Sequence, residues 1–198
     1  SSTAPLAEML RLNGYATAAF GKWHETAAWE ASVAGPFDRW PTRQGFDKFY
    51  GFIGGDANQW QPNLFRNTTQ IYPFEGKPGW NLVTGMADDA IDYMTRMHQI
   101  QPDKPIFIKY APGATHAPHH PTKEWVEKIR AMKLFDDGYE KLRERIFENQ
   151  KRLGVIPKDT QLEPWPAKSL KPWDQLTAEE KKLFIKQMDV YGAYLAYT

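Results

Sequence analysis

The sequence predicts an α/β fold with a mainly parallel sheet flanked by helices. Two short apolar runs, residues 15–20 and 105–111, are bounded by turn-forming residues and predict buried strands. An amphipathic helical pattern beginning near Thr84 lies between them. A strand, a helix and a second strand in this order favour a crossover that makes the two strands parallel.

The first elements follow from local patterns. Thr3 is a candidate N-cap for a helix that places Leu6, Met9 and Leu10 on one face. After the first strand, residues 26–81 are rich in proline, glycine and aromatic side chains and show little periodicity. A loop of this length predicts either a functional segment or one that packs against another part of the protein.

Helices dominate the later part of the chain. The helix after Thr84 should bury Ala87, Ala90, Ile91 and Met94. From residue 123 onward the pattern is charged and helical, and Thr177-Ala178-Glu179-Glu180 matches a capping box. Two further apolar stripes predict buried helix faces: Leu142, Ile146 and Leu153, then Phe184, Met188, Tyr191 and Leu195. We therefore expect an α/β part over 1–122, with the site loops, and a mainly helical segment over 123–198.

Candidate functional side chains stand at the ends of the two predicted strands. If the chain stays extended beyond Gly21, Lys22 and His24 share one face and Trp23 points away. A cation beside an imidazole suits an anion, although a surface lysine beside a core histidine fits the spacing equally well. His116 lies in a loop directly after the second strand, where α/β proteins collect their sites.

Three motifs stand out in the sequence. The first is Gly21-Lys22-Trp23-His24 at a strand end, the second is Gly45-Phe46-Asp47-Lys48-Phe49-Tyr50-Gly51, and the third is Pro112-Gly113-Ala114-Thr115-His116-Ala117-Pro118. They resemble motifs of the sulfatase family and occur in the family's order, and the resemblance extends over nearly the whole chain. It implies an alkaline-phosphatase-like sulfatase fold, a small-molecule sulfate ester as substrate, and an arylsulfatase-like hydrolysis to an alcohol and sulfate.

The resemblance also assigns roles to three residues. Lys22 would bind the sulfate as a fixed cation and stabilise charge in the transition state. His24 would contact the hydroxyl of a formylglycine nucleophile and help to remove its proton. His116 would bind sulfate near the leaving oxygen, where it can donate a hydrogen bond or a proton.

Other family features have no counterpart in the sequence. The chain has no cysteine, and neither the formylglycine motif nor the acidic calcium ligands of the family are recognisable. The resemblance therefore implies calcium and formylglycine whose ligands and position lie outside these 198 residues. We expect a piece of a single sulfatase catalytic domain, with the remainder of that domain as its partner, inactive alone.

Two neighbouring features leave alternatives open. His116, His119 and His120 fall within five residues, but no carboxylate or cysteine lies at ligand spacing, so no metal site is predicted there. The aromatic residues of the long loop could flank a hydrophobic or sugar leaving group, or could pack against another part of the protein. They are Trp60, Phe65, Tyr72, Phe74 and Trp80.

Composition limits the function classes. A net charge of +1 with 25% charged residues gives no field for nucleic acid. No apolar run approaches the roughly 18 residues that span a bilayer, so no membrane partner is expected. Cellular compartment is left open.

Two other functions are compatible with the residues. One is a phosphate or phosphonate monoester hydrolase of the same superfamily, and the other is a non-catalytic piece or binding module.

Overall fold

The computed structural model describes residues 3–198. The chain divides into two compact units: one of residues up to His120, joined by Thr198, and one of residues 121–197. The first unit holds a five-stranded sheet and two helices, and the second unit is helical. None of the helices within residues 3–198 is both long and apolar enough to cross a membrane.

The predicted α/β class is confirmed, with a sheet that is parallel in its centre and antiparallel at one side. Its strands are β1 (Ala16–Lys22), β2 (Lys48–Phe52), β3 (Leu64–Arg66), β4 (Thr69–Ile71) and β5 (Ile106–Ala111). They lie in the order β4-β3-β2-β1-β5. β1 pairs in parallel with both β2 and β5, whereas the β2–β3 and β3–β4 pairs are antiparallel.

The register aligns the carboxyl ends of the three parallel strands. Gly21 of β1 is opposite Gly51 of β2 on one side and Ala111 of β5 on the other. Gly21 has φ +98°, and a Cβ at this position would collide with the carbonyl of Ala111. Glycine is therefore required here, and the segments that follow β1, β2 and β5 leave the sheet side by side.

Each face of the sheet has its own core. On one face, Ala18 and Phe20 of β1 pack against the helix α2 (Leu82–Ile100). On the other face, Ala19 and Trp23 join a second cluster, in which α1 (Leu6–Leu12) contributes Ala7. The side chains of β1 alternate between the two clusters, as a strand between two layers requires.

Residues 26–81 contain more regular structure than predicted. Besides β2, β3 and β4, this segment forms two short 3₁₀ turns, Ala28–Glu30 and Pro41–Arg43. Trp40 is fully buried, with its ring edge-on to those of Phe37 and Phe65. The interpretation as one long loop is therefore wrong, because buried aromatic contacts replace the periodicity that sequence patterns detect.

The boundaries and buried faces of α1 and α2 also differ from the predictions. α1 begins after Pro5 without a side-chain cap, and Leu6 and Met9 are exposed. α2 is capped by Asn81, whose Oδ1 accepts from the N–H of Val83 at 3.0 Å. The buried side chains of α2 are Leu82, Val83, Met86 and Ala90, whereas Ile91 and Met94 are largely exposed.

The second unit contains α3 (Lys123–Ala131), α4 (Tyr139–Leu153) and α5 (Ala178–Tyr197). The predicted capping box is confirmed: the N–H of Glu180 donates to Thr177 Oγ1 at 3.2 Å, and Glu180 accepts from the N–H of Thr177 at 2.7 Å. The predicted apolar stripes are largely wrong, since Ile146, Leu153, Tyr191 and Leu195 are exposed. The buried residues of this unit include a small cluster of Ile129, Phe135 and Ala193, with Trp173, Leu176 and Tyr194 buried outside it.

Candidate active site

Three chain segments meet at the carboxyl edge of the sheet. The first begins at residue 22, the last residue of β1, and runs to residue 25. Residues 53–56 follow β2, and residues 112–120 follow β5. Because β1 lies between β2 and β5 in parallel register, all three segments emerge at the same level. This edge is where open α/β sheets place ligands, and it contains all three candidate residues.

Lys22 is the last residue of β1. It is opposite Phe52 in the register and is partly buried. It forms no ion pair with any carboxylate of residues 3–198. A lysine that makes no ion pair with the described carboxylates, fixed at its backbone by the sheet, is a suitable cation for an anionic ligand.

His24 is held by the segment after β2. Its backbone N–H donates to the carbonyl of Ile53 at 3.0 Å, and its side chain is exposed. The ring lies so close to Gly55 that a Cβ there would be 2.8 Å from Cε1 of His24. His24 has φ +53°, so the backbone is not extended there and strand alternation cannot place it on the same face as Lys22.

Trp23 anchors the end of β1 between these two residues. Its ring is buried, and Nε1–H donates to the carbonyl of Arg39 at 2.7 Å. The ammonium of Lys109 on β5 lies 4.4 Å from the ring centroid, a cation–π contact. Burial lowers the pKa of Lys109, while Glu25 opposes that shift. These contacts fix the backbone that presents Lys22 and His24.

His116 lies in the loop after β5 and is exposed. Its backbone N–H donates to the carbonyl of Gly113 at 2.9 Å. Nδ1 lies 2.7 Å from the carbonyl oxygen of Ala117, and because a carbonyl only accepts, Nδ1 must carry a proton. Nε2 is therefore the ring nitrogen left for a ligand, and it can donate a proton only when the ring is doubly protonated.

Gln59, Asn81 and His120 hold the end of this loop, and sequence reasoning missed the first two. The N–H of Gln59 donates to Nδ1 of His120 at 3.3 Å, and Nδ2 of Asn81 donates to the carbonyl of His120 at 3.1 Å. Gln59 and Asn81 are each only 2% exposed, and the N–H of Leu82 donates to the carbonyl of Gln59 at 2.7 Å. This trio ties the His116 loop to the start of α2. Asn81 could have been noticed as an N-cap residue, but its bond to His120 has no sequence signal.

The state of His120 follows from these contacts. Nδ1 accepts from Gln59, so the neutral ring carries its proton on Nε2. Burial, with a smaller contribution from His119, lowers the pKa of His120. His119 is turned back on its own loop, since Nε2 lies 3.1 Å from the carbonyl of Thr115. Both rings therefore support the loop.

The sulfatase family model matches residues 1–198 of the chain. The chain belongs to the sulfatase family. An uncharacterized sulfatase of Schizosaccharomyces pombe is 29% identical over 96% of the chain, and the arylsulfatase of Klebsiella aerogenes is 26% identical over 96%. The chain spans 34% and 40% of the lengths of these two relatives.

Solved structures support the sulfatase fold. The crystal structure of Ps i-CgsB in complex with k-i-k-neocarrahexaose matches 96% of the chain with a TM-score of 0.50 and 16% identity. A Bacteroides thetaiotaomicron protein described in connection with glycosaminoglycan metabolism gives the same coverage, TM-score and identity. The chain covers 34% and 37% of these two structures, respectively.

Membership of the sulfatase family implies calcium and a formylglycine residue, and residues 3–198 do not fit either group. Among residues 3–198, no three histidine, aspartate or glutamate side chains gather as a metal site. The candidate site instead presents a lysine and imidazoles, whereas calcium takes oxygen ligands. Formylglycine derives from cysteine or serine, the chain has no cysteine, and the serines among residues 3–198, Ser32 and Ser169, lie outside the three edge segments.

Proposed function

We propose that this sulfatase chain supplies the sulfate-binding and proton-transfer groups of a site that hydrolyses a small-molecule sulfate ester. The observation that carries the proposal is the parallel β2-β1-β5 arrangement, which brings the lysine of one motif and the histidine of another to the same edge. Their positions are 94 residues apart in sequence, numbers 22 and 116. Calcium and formylglycine, which the family implies, are then held by groups other than these residues.

Lys22 suits the anion itself. Cleavage of the ester S–O bond leaves negative charge on the departing oxygen while the sulfuryl oxygens stay anionic. A cation fixed at a strand end stabilises this charge without having to reorganise during the reaction. Since no carboxylate of residues 3–198 pairs with Lys22, its charge is available to the ligand.

The two histidines suit proton transfer. With Nδ1–H of His116 held by Ala117, the doubly protonated ring can give the Nε2 proton to the leaving oxygen and so release a neutral alcohol. The ring of His24 makes no hydrogen bond within residues 3–198 and is supported by Gly55. It is free to accept a proton from a group beside the bound sulfate.

Anion binding by the chain itself tests this proposal. Sulfate titrated at neutral pH should shift the side-chain resonances of Lys22, His24 and His116 in NMR spectra, and Lys22→Ala should abolish these shifts. Lys158→Ala, which removes an exposed lysine of the helical unit, is the matched control and should leave them unchanged. Equal shifts with Lys22→Ala would contradict the proposal, and binding of phosphate in preference to sulfate would favour a phosphate-ester hydrolase.

Turnover provides a second check. The 198-residue chain should not hydrolyse a chromogenic aryl sulfate, because it has no cysteine and no acidic metal cluster within residues 3–198. Hydrolysis that is present in the chain and lost in Lys22→Ala would show that the chain contains its own nucleophile. That result would overturn the assignment of the nucleophile to other groups.

A further inference from the structure

A groove with an excess of positive charge lies between α3 and α5 of the helical unit. Its volume is about 600 Å³. Arg130 of α3 lines it, together with Lys181, Lys182 and Lys186 of α5. Lys182 and Lys186 are four positions apart, so they lie on the same face of α5. We call this the cationic groove. Its four cations make it a candidate site for an anion.

One carboxylate also lines the cationic groove, and it receives no hydrogen bond. Asp189 is 1% exposed, and neither of its oxygens accepts a hydrogen bond from residues 3–198. Nη1 of Arg130 lies 3.6 Å from Oδ2, close enough for an ion pair but too far for a hydrogen bond. The guanidinium of Arg130 donates instead to Asp136. Buried polar atoms are normally satisfied by a hydrogen bond, so Asp189 has two unused acceptors at the wall of the groove.

The charges around Asp189 indicate which ligand would suit it. Burial raises the pKa of the Asp189 carboxyl, and Arg130 opposes that shift. Asp136 raises the same pKa, whereas Lys186 lowers it. A hydrogen-bond donor brought to the carboxylate would stabilise its charged form. The three lysines of the groove form no ion pair with any carboxylate of residues 3–198. The groove therefore suits a ligand that is an anion and also carries a proton.

We propose that the cationic groove binds inorganic phosphate. A P–OH group of the phosphate donates to the carboxylate of Asp189, and the anionic oxygens accept from the lysines of α5 and from Arg130, which has five N–H donors. Lysine side chains are flexible four-carbon chains, so they can move aside to admit a small ion while α3 and α5 stay in place. All the residues involved belong to the helical unit, and the inference is independent of the proposed function.

The carboxylate makes the cationic groove selective between two similar anions. Inorganic phosphate keeps at least one proton near neutral pH, whereas sulfate keeps none. Phosphate can therefore donate to Asp189 while its other oxygens accept from the cations. Sulfate would place an anionic oxygen against a buried carboxylate that can only accept, and this contact is repulsive. A neutral polyol could donate to Asp189 but would leave the cations without an anion.

The test is an NMR titration of the 198-residue chain at neutral pH with inorganic phosphate and with sulfate. Phosphate should shift the side-chain resonances of Arg130, Lys182 and Lys186. It should bind there at least about tenfold more tightly than sulfate, the effect of one hydrogen bond to a charged group. Equal affinity of the groove for the two anions would overturn the proposal.

Methyl phosphate tests whether the proton of the ligand is recognised. Its second pKa is about 6, so at about pH 8 it has lost the P–OH group but keeps the shape and charge of a phosphate. It should then bind as weakly as sulfate, while inorganic phosphate at the same pH still binds. Methyl phosphate that binds as tightly as inorganic phosphate would contradict the role of Asp189.

Two variants test the residues of the groove. Asp189→Asn keeps the size of the side chain but supplies an amide that can donate to sulfate, so the preference for phosphate should disappear. Lys186→Gln, at an exposed position, should weaken phosphate binding without endangering the fold. Lys158→Gln, also exposed and outside the groove, is the matched control and should bind like the unaltered chain. A preference for phosphate that persists in Asp189→Asn, or unchanged affinity in Lys186→Gln, would overturn the proposal.

Failure of this inference is distinguishable from failure of the proposed function. Phosphate shifts at the cationic groove should persist in Lys22→Ala, because Lys22 belongs to the sheet unit. If phosphate shifts only the resonances of Lys22, His24 and His116, the inference about the groove is wrong. If phosphate shifts the groove and sulfate leaves Lys22 unshifted, the groove is supported and the proposed function is wrong.

Discussion

The sheet unit and the helical unit are stabilised in different ways. In the sheet unit, each face of the sheet has a cluster of eight buried apolar residues. The largest buried cluster of the helical unit has three such residues, Ile129, Phe135 and Ala193, while Trp173, Leu176 and Tyr194 are buried outside it. The candidate site is built on strand ends between two cores, which suits groups that must keep a fixed geometry.

The helical unit relies more on contacts near its surface. The ring of Tyr139 stacks on Trp165 at 5.0 Å and meets Trp173 edge-on at 5.2 Å. Asp136 pairs with Arg130, and Asp137 pairs with Arg145. Exposed ion pairs contribute little stability. The comparison therefore predicts that single core substitutions have larger effects in the sheet unit than loss of a surface contact in the helical unit.

The largest expected effect is a loss of stability in the core on the α1 side of the sheet. Trp40→Ala should lower the free energy of unfolding by about 3–5 kcal/mol, because it empties a fully buried site and leaves the carbonyl of Glu30 without its indole donor. Urea unfolding followed by near-UV circular dichroism measures the change. Trp29→Ala, at an exposed position, should change stability by less than about 0.5 kcal/mol. A loss below about 1 kcal/mol in Trp40→Ala would contradict the difference between the units.

The next effect is on catalysis at the same edge. In a form of the protein that also carries a nucleophile, Lys22→Ala should lower kcat about 10²-fold, because a preorganised cation acts mainly on the transition state. KM should change less than kcat. Steady-state kinetics with an aryl sulfate measure both, and Lys158→Ala serves as the control. An increase in KM with unchanged kcat would mean that Lys22 only binds the substrate.

Gly55 tests whether His24 is held in place by packing. Gly55→Ala should displace the imidazole with little loss of stability, since its new Cβ would be 2.8 Å from Cε1 of His24 and the exposed ring can turn aside. The measurements are urea unfolding and the chemical shift of the His24 ring protons. Gly54→Ala is a matched control, because a Cβ there would meet only the carbonyl of Asp56, at 3.7 Å. Similar shifts in both variants would show that the contact does not position the ring.

A loss of stability smaller than that of Trp40→Ala is expected in the helical unit. Thr177→Ala removes one half of the capping box of α5 and should cost about 1 kcal/mol. Thermal unfolding measures the loss, and Thr177→Ser, which keeps the hydroxyl, should restore most of it. A loss as large as that of Trp40→Ala would reverse the order of the two units.

The smallest effect concerns pH at the His116 loop. Because the folded state lowers the pKa of His120 below its ordinary value of 6.5, the stabilisation by neutral His120 is complete above pH 6.5. It is lost as the pH falls through the folded pKa. Amide hydrogen exchange of residues 112–120, corrected for the intrinsic pH dependence, should then increase.

His120→Asn provides the control for this pH dependence. An asparagine oxygen can accept from the N–H of Gln59 without titrating, so protection of the loop should persist in acid. If the loop of this variant opens at the same pH as that of the unaltered chain, His120 is not the group responsible.

The sequence predicted the parts of the fold that have local signals. The runs 15–20 and 105–111 became β1 and β5, which are adjacent and parallel. β2 was missed because four of its five residues are buried, which removes the polar–apolar alternation of a half-exposed strand. β3 and β4 have three residues each, too few for a pattern.

The candidate site, like the fold, was predicted only in part. The motifs identified Lys22, His24 and His116, and the sheet topology places all three at one edge. His120 is supported by contacts with Gln59, 61 positions earlier in the chain, and with Asn81, 39 positions earlier. Such contacts depend on the tertiary fold, and no local sequence pattern predicts them.

The open side of β5 has a practical consequence for handling the chain. β5 is an edge strand, and beside it Ala87, Ala90, Ile91 and Met94 form an apolar strip with Ile108 and Tyr110. Unpaired strand edges beside apolar surface promote intermolecular β-pairing. Purified chain should therefore self-associate as its concentration rises, and a charge introduced by Ile91→Lys, at an exposed position of the strip, should keep it monomeric in analytical ultracentrifugation.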